Sequence, residues 1–524
     1  MQINLNPKSS YGQDNISTKL LKDTIDNIIE PITHIINISF ATGIMPTEMK
    51  TAKVIPRHKT ADPSILKNDR PISLLPAFSK LIEKIMYSKI TSFFNANCLF
   101  YKHQYGFRAK HSTVHPIIHL LNHCAESNCT SNLTLAFLCD LSKTFDVISH
   151  DILLSKLNTY GIRGIANQWF KSYLTGRTQF VELEGHISRR ADILCGVPQG
   201  SILGPLLYLI YVNDIYNSCN GNILSFADDT TVYVSESDPV KLYSTANIQI
   251  NKLFDWFCSN KLSLNASKTK YIVIRPKHVR YNLQDHDIFI KTTKLKRIGN
   301  DCDEKAAKFL GIHIDENLTW KHHISHINKK ISSAIFSIKQ VKKVLPLNCL
   351  QTLYYSLIHS HLSYGILIWG NANKSILKQT TILQKRAIRT IHNAKFNSHT
   401  DPLYRASNIL KIGDMFEYNS VLFVFDFINN KLPISFNNLF KFNKDIPSAR
   451  LTRQSEMLYI TRCTSQFAGR LPLFVLPIIW NNWTKCIDQN GTRSNCKRQI
   501  KIKLLDKYPT RVKCNNIHCT ECHN

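Results

Sequence analysis

Acidic residues are scarce in this chain: 37 Asp plus Glu stand against 66 Lys plus Arg over 524 residues, a net charge of +29. Solubility needs only roughly 2–8 net charges on a small domain, so a polyanionic partner is expected, nucleic acid ahead of an anionic membrane. No apolar run reaches the roughly 18 residues that suggest a spanning helix, so no membrane partner is expected. The stretch from Met1 to Ser10 is polar and holds no signal-peptide core. Fifteen cysteines are scattered without the spacing of a disulfide framework, which fits a reducing, intracellular compartment. Internal repeats, low-complexity tracts, a Walker sequence and a glycine-rich phosphate loop after the first strand are all missing, which excludes a dinucleotide fold. At 43% hydrophobic residues the chain is still apolar and long enough for a substantial core and two to four domains.

Because carboxylates are few, their placement is informative. Asp228 and Asp229 stand side by side within Leu224-Ser225-Phe226-Ala227-Asp228-Asp229-Thr230-Thr231-Val232-Tyr233, flanked by strand-forming residues. Like charges at the tip of an apolar hairpin raise each other's pKa and disfavour burial. A divalent cation removes that penalty, and two cations make the clamp used in nucleotidyl transfer. Asp140 ends a second apolar run, Leu133 to Leu141. It lies far away in sequence, so only tertiary structure can bring it to Asp228. The bland alternative is a polar hairpin turn; the flanking pattern, Asp140 and the basic charge together weigh against it. Asp146 is evenly balanced between a part in the site and a bland one, capping the following helix or forming a structural salt bridge.

Periodicity predicts the frame. Helical spacing runs from about Leu20 to Phe40, with Pro31 placed to kink or divide it. Lys53 to Lys59 reads as a short basic strand, and Leu74 to Phe94 as a helix. A strand at Leu133 to Leu141 precedes a helix near Ser149 to Leu157. Phe180 to Leu183 and Arg190 to Leu194 form a hairpin, and Leu203 to Val212 a buried helix after the tight turn Gly196 to Ser201. Ile223 to Val234 is the hairpin carrying the aspartates. A helix at Ile248 to Ser259, a strand at Tyr271 to Ile274 and an alternating strand at Lys308 to Ile314 follow. Helical patterns then dominate at His322 to Val344, Leu350 to Trp369 and Lys374 to Ile391. The order is compatible with a split βαβ unit.

Several ordered segments carry a family resemblance. Lys53-Val54-Ile55-Pro56, Arg70-Pro71-Ile72-Ser73-Leu74-Leu75-Pro76, Gln104-Tyr105-Gly106-Phe107-Arg108 with His111-Ser112-Thr113, and Asp140 through Asp146 come first. Gly196-Val197-Pro198-Gln199-Gly200-Ser201 with Gly204-Pro205, Phe226-Ala227-Asp228-Asp229, Leu262 through Asn265 with Lys268-Thr269, and Phe309-Leu310-Gly311 complete the series. Over about residues 8 to 395 the chain resembles the reverse transcriptases of non-LTR retrotransposons, especially jockey-like LINE elements.

The resemblance implies an α+β right-hand polymerase with fingers, a split-βαβ palm and a helical thumb. Its divisions are an N-terminal helical entrance (1–50), fingers and palm (51–315), thumb and extension (316–395) and a basic C-terminal region (396–524). It implies RNA-directed DNA polymerase activity, in which Asp140, Asp228 and Asp229 hold two Mg²⁺ ions. Phe145 becomes the steric gate against a ribose 2′-hydroxyl, with a core Phe as the plainer reading. Gln199 contacts the incoming nucleotide or the template beneath the bases, and Gly200 permits close backbone approach because it has no side chain in the way. Lys53 and Arg70 are candidates for the triphosphate or else surface cations, Arg108 for supporting the template or the fingers, and Lys268 for general acid toward pyrophosphate. Trp320 and Trp369 read as packing residues rather than base platforms. The implied partners are an RNA template, a DNA primer or nicked target DNA, dNTPs and an external endonuclease, with action in the nucleus.

Departures qualify that picture. Lys8 to Asp14 resembles the polymerase entrance but lacks an expected proline and second glycine. The expectation is a chain without the N-terminal endonuclease of complete elements, such as a truncated copy, and without a ribonuclease H domain. Cys514, His518, Cys519, Cys522 and His523 offer soft ligands for a structural zinc ion, against a basic, unstructured end. Two other functions stand beside the polymerase: an inactive RNA-binding remnant, and an intron-maturase-like reverse transcriptase.

Overall fold

A computed structural model describes residues 7–59, 62, 64–275, 286–446, 454–461 and 468–509. Ser17 opens the first helix, α1 (Thr18–Thr42), by accepting a hydrogen bond from the Leu20 N–H, and Gly43 closes it at φ 70°. Pro31 does not divide this helix: the Ile32 and Ile36 face is buried in a common core with the next helix, and that packing outweighs the missing backbone donor. Strands β1 (Thr51–His58) and β2 (Asp69–Leu74) pair antiparallel. Helices α2 (Ala77–Ala96) and α3 (Val114–Cys129) follow.

The central sheet comes next. Strand β3 (Leu133–Cys139) leads into the two-residue β4 (Leu141–Ser142), then helices α4 (His150–Thr159) and α5 (Ile165–Leu174). Strand β5 (Arg177–Leu183) joins β1 in parallel and is flanked by β6 (His186–Ile187) and β7 (Ala191–Ile193). Helix α6 (Leu203–Tyr211) precedes the hairpin β8 (Asn222–Phe226) and β9 (Asp229–Glu236); α7 (Pro239–Ser259), β10 (Ser263–Leu264), β11 (Lys270–Ile274), β12 (Phe289–Ile290), β13 (Thr293–Lys294) and β14 (Lys296–Ile298) complete this part. The main sheet has the order β14-β11-β3-β9-β8, antiparallel except for β11 with β14.

Strand pleating sends alternate residues to opposite faces, and both faces are covered. Leu133, Leu135, Phe137, Cys139, Val232, Val234 and Val273 enter one core with α2, α6 and α7. Ala136, Tyr233, Ile272 and Ile274 enter a second core with α3 and the C-terminal helices. This double cover explains why β3 reads as a continuous apolar run.

Past the sheet, the region expected to be one strand at Lys308 to Ile314 is a hairpin, β15 (Ala307–Phe309) and β16 (Ile312–Ile314). Leu310 and Gly311 take positive φ and make the turn. Helix α8 (Lys321–Val341) matches its periodicity. The expected helix from Leu350 to Trp369 is broken into α9 (Leu347–Tyr354), a π-helical stretch, α10 (Ser360–Ser363) and α11 (Ile366–Trp369). Tyr364 is extended and Gly365 left-handed there, which stops the helix. Helix α12 (Lys374–Ile391) has the expected bounds, and α13 (Asp401–Ala406), α14 (Ile412–Ile428), α15 (Pro472–Trp483) and α16 (Arg493–Asp506) finish the described chain. The last three pack into the same core as α3 and α8, so the described residues between 401 and 508 include core-forming helices that the basic composition did not suggest. Trp320 and Trp369 are buried in that core, as expected.

Glu83 on α2 is fully buried. Its Oε2 accepts from the N–H groups of Ile202 (2.6 Å) and Leu203 (3.4 Å), and its Oε1 from Tyr173 (3.1 Å) and Ser79 (3.3 Å). Burial pushes its pKa above the usual range, opposed by Arg177 and these donors. The carboxylate thus caps α6 and fixes the segment after Pro198-Gln199-Gly200. Glu83→Ala leaves those buried donors unpaired and is expected to destabilise the chain by about 3 kcal/mol. Chemical denaturation would check this; a change within experimental error would deny Glu83 the capping role.

Candidate active site

The site begins with strand register. Cys139 pairs with Thr230 as the last rung across β3 and β9, so Asp140 leaves the ladder near Asp229, whose carboxyl feels its charge. Phe226 pairs with Asp229, leaving Ala227 and Asp228 as a two-residue hairpin loop. Ala227 is left-handed at φ 57°, a position where glycine is usual; an L-residue there costs roughly 1–2 kcal/mol. Asp140 is anchored through its main chain: its N–H donates to Thr269 Oγ1 (3.3 Å) and its carbonyl accepts from Asn265 (2.8 Å). The paired strands β4 and β10 brace the same corner.

All three carboxylates are exposed at this corner. Asp229 is nevertheless pushed up to about 6, first by partial desolvation and then by the charges of Asp228 and Asp140. Beneath them Tyr208 is buried, and its hydroxyl pKa is raised by burial and by Asp228 and Asp229. The cluster therefore carries uncompensated negative charge. Hard carboxylate oxygens with this electrostatics suit Mg²⁺, although among the described residues no group of three or more His, Cys, Asp or Glu is arranged as a ready metal cage. The fit rests on donor chemistry and mutual repulsion.

Asp140 and Asp228 open onto a cleft of about 1360 Å³ that also includes Arg70, Phe145, Asp146, Gln199 and Gly200. Phe145 is half-buried, 5.1 Å from the Tyr208 ring and 6.1 Å from Phe107. Gln199 Nε2 donates to Asp146 Oδ1 (2.8 Å), so Asp146 orients a cleft residue, and the N-cap position of α4 falls to Ser149 instead. Ser73 N–H donates to the Gln199 carbonyl (2.7 Å), and a Cβ on Gly200 would lie 2.4 Å from Ser73 O. Glycine is required there by close backbone approach.

The remaining sequence-predicted residues lie differently. Lys53 is buried, paired with Glu182 at 3.0 Å and set 4.4 Å over the Tyr11 ring, and it does not line the cleft. Arg108 Nη1 donates to the carbonyls of Tyr101 (3.0 Å) and Gln104 (3.1 Å). Lys268 is exposed and outside the cleft lining. Cys514, His518, Cys519, Cys522 and His523 fall outside the described residues. His58, Lys59, Asn68 and Lys143 line the cleft but were not singled out by sequence. Their signal is adjacency to the motif segments at Lys53 to Pro56, Arg70 to Pro76 and Asp140 to Asp146.

Residues 55–314 match the family described as Reverse transcriptase (RNA-dependent DNA polymerase). The chain is 26% identical over 422 residues to the RNA-directed DNA polymerase from mobile element jockey of Drosophila melanogaster, covering 78% of this chain and 44% of the relative. It is 27% identical to the probable RNA-directed DNA polymerase from transposon BS of the same fly, over 77% of this chain and 45% of that protein. A third similar protein, the probable RNA-directed DNA polymerase from transposon X-element, is 26% identical over 86% of this chain and 49% of its own length. The chain spans about half the length of these curated relatives or slightly less.

The raised Asp229 pKa has a definite sign. Between the ordinary value of 3.8 and about 6 the folded chain holds a proton that the unfolded chain has lost, so stability falls as pH rises through that window. Asp229→Asn removes the effect. In EDTA its thermal midpoint should exceed that of the intact chain at pH 8 and match it near pH 4. A lower midpoint at pH 8 would show that Asp229 is stabilised, not strained, by its surroundings.

Proposed function

We propose, from the premise that this chain carries a reverse transcriptase domain of the non-LTR, jockey-like kind, that it extends a primer 3′-hydroxyl with dNTPs on an RNA template. The observation that carries this reading is the meeting of Asp140 with Asp228 and Asp229 on adjacent strand ends at a large cleft. In this reading the main sheet is the palm, the β1-β2-β5 sheet belongs to the fingers, and α8 to α12 form the thumb.

Asp140, Asp228 and Asp229 would hold two Mg²⁺ ions, which, when bound, supply charge neutralisation for an attacking 3′-hydroxylate and a triphosphate. Arg70 faces the cleft as the phosphate-binding cation; Lys53, already paired, is left with a structural part. The Phe145 ring, backed by Tyr208, forms a wall where a ribose 2′-hydroxyl would collide. Gln199, oriented by Asp146, and the bare backbone at Gly200 line the nucleotide's approach. Lys268 is the candidate proton donor to pyrophosphate. The +29 net charge supports a template–primer duplex as partner and predicts binding that weakens steeply with salt. A nicked target DNA as primer would set such an activity in the nucleus.

Among the described residues no helix is long and apolar enough to cross a membrane. The competing reading is an RNA-binding remnant that cannot turn over. Primed RNA with dNTPs and Mg²⁺ separates the two: the intact chain should extend the primer, and Asp228→Ala should lower the rate by on the order of 10³-fold. Phe145→Val should spare DNA synthesis and admit ribonucleotides at least ~10-fold more readily. Folded, RNA-binding intact protein that extends nothing in Mg²⁺ or Mn²⁺ would establish the remnant.

A further inference from the structure

The strained tip of the β8–β9 hairpin needs something to hold it, because Ala227 lacks the freedom of the glycine usual at its position. The sequence Gln104-Tyr105-Gly106 supplies the hold. Gln104 is buried at 4% exposure. Its Oε1 accepts from Ala227 N–H (3.1 Å) and Gly106 N–H (2.8 Å), and its Nε2 donates to the Ala227 carbonyl (3.4 Å). One carboxamide thus fixes both peptide planes flanking Ala227. The second of those planes leads directly into Asp228.

Three further contacts show that the segment is built for this position. Residues 103–105 run beside β8 as a short added strand: Ser225 N–H donates to His103 O (3.0 Å) and Tyr105 N–H to Ser225 O (2.8 Å). Gly106 sits against the turn so closely that a Cβ would fall 2.1 Å from Ala227 N. Arg108 braces the segment from behind through the carbonyls of Tyr101 and Gln104, with its guanidinium 5.0 Å over the Phe100 ring.

We propose that Gln104 is a positioning residue for the carboxylate pair: by clamping the Ala227 peptide it sets the direction from which Asp228 and Asp229 present their oxygens to divalent cations. Arg108, in turn, holds the strand that carries Gln104. The inference rests on the polymerase reading, but it can be tested apart from polymerase activity. Groups that orient ligating carboxylates typically govern metal affinity by about 10–100-fold.

The experiment uses the full chain and Gln104→Met, which keeps the bulk and removes the hydrogen bonds. Mn²⁺ binding is read by electron paramagnetic resonance without nucleic acid, alongside melting and steady-state primer extension. The expected result is an approximately 10-fold or greater weakening of Mn²⁺ binding, a lowered kcat, an unchanged dNTP KM and a retained cooperative melt. Gly106→Ala, which pushes the same turn from the other side, should reproduce the pattern. Mn²⁺ affinity and kcat equal to those of the intact chain would overturn the proposal. Loss of cooperative melting in Gln104→Met would also overturn it, by assigning Gln104 to general folding. An intact chain that binds Mn²⁺ but extends no primer would sink the polymerase reading and leave the Mn²⁺ comparison to decide Gln104. An intact chain that binds no Mn²⁺ would sink both.

Discussion

Mutual repulsion among Asp140, Asp228 and Asp229 is the constraint on which the rest of this architecture depends. Three carboxylates at one sheet corner drive one another apart unless the backbone gives them no choice. The backbone is constrained from each side. The β3–β9 ladder ends at Cys139 and Thr230, which brings Asp140 near Asp229, and Asn265 with Thr269 pins the main chain of Asp140. The two-residue loop presents Asp228, while the added strand at 103–105 grips the loop from outside. Two packed cores, one on each face, keep the sheet from relaxing.

A buried carboxylate elsewhere works by the opposite arrangement. Glu83 is surrounded by donors and organises a helix terminus, whereas the cleft aspartates are exposed and short of donors. Burial with hydrogen bonds turns a charge into a structural joint; exposure beside like charges leaves it available to a cation. The Pro198-Gln199-Gly200 loop links the two, because Glu83 fixes its downstream end and Ser73 and Asp146 hold its middle.

Much of this was legible in the sequence. The apolar runs around Asp140 and Asp228-Asp229 gave both strands and their shared end, because a doubly covered sheet imposes uninterrupted apolar residues. Gly200 was readable as a close-approach position. Glu83 was not: between Ile82 and Lys84 it looks like any exposed helical acid, and only the fold, which brings Ile202, Leu203 and Tyr173 against it, buries it. The pairing of Lys53 was not legible for the mirror-image reason, since its partner Glu182 lies on a strand that pairs with its own only in the fold. The broken helix before Trp369 turned on Tyr364-Gly365, whose left-handed glycine local periodicity cannot see. Helices α14 and α15 were hidden by the basic composition around them, although their own residues are strongly apolar.

The central claim is that the fold stores charge repulsion at one corner, which a divalent cation relieves. The most direct measurement is the thermal midpoint at pH 7.5 with and without Mg²⁺, for the intact chain and for Asp140→Asn/Asp228→Asn/Asp229→Asn. Ligand binding to the native state alone raises its stability. Mg²⁺ should therefore raise the midpoint of the intact chain and leave the neutralised chain, already the more stable in EDTA, unmoved. An equal Mg²⁺ response in both chains, or none in the intact one, would contradict the account.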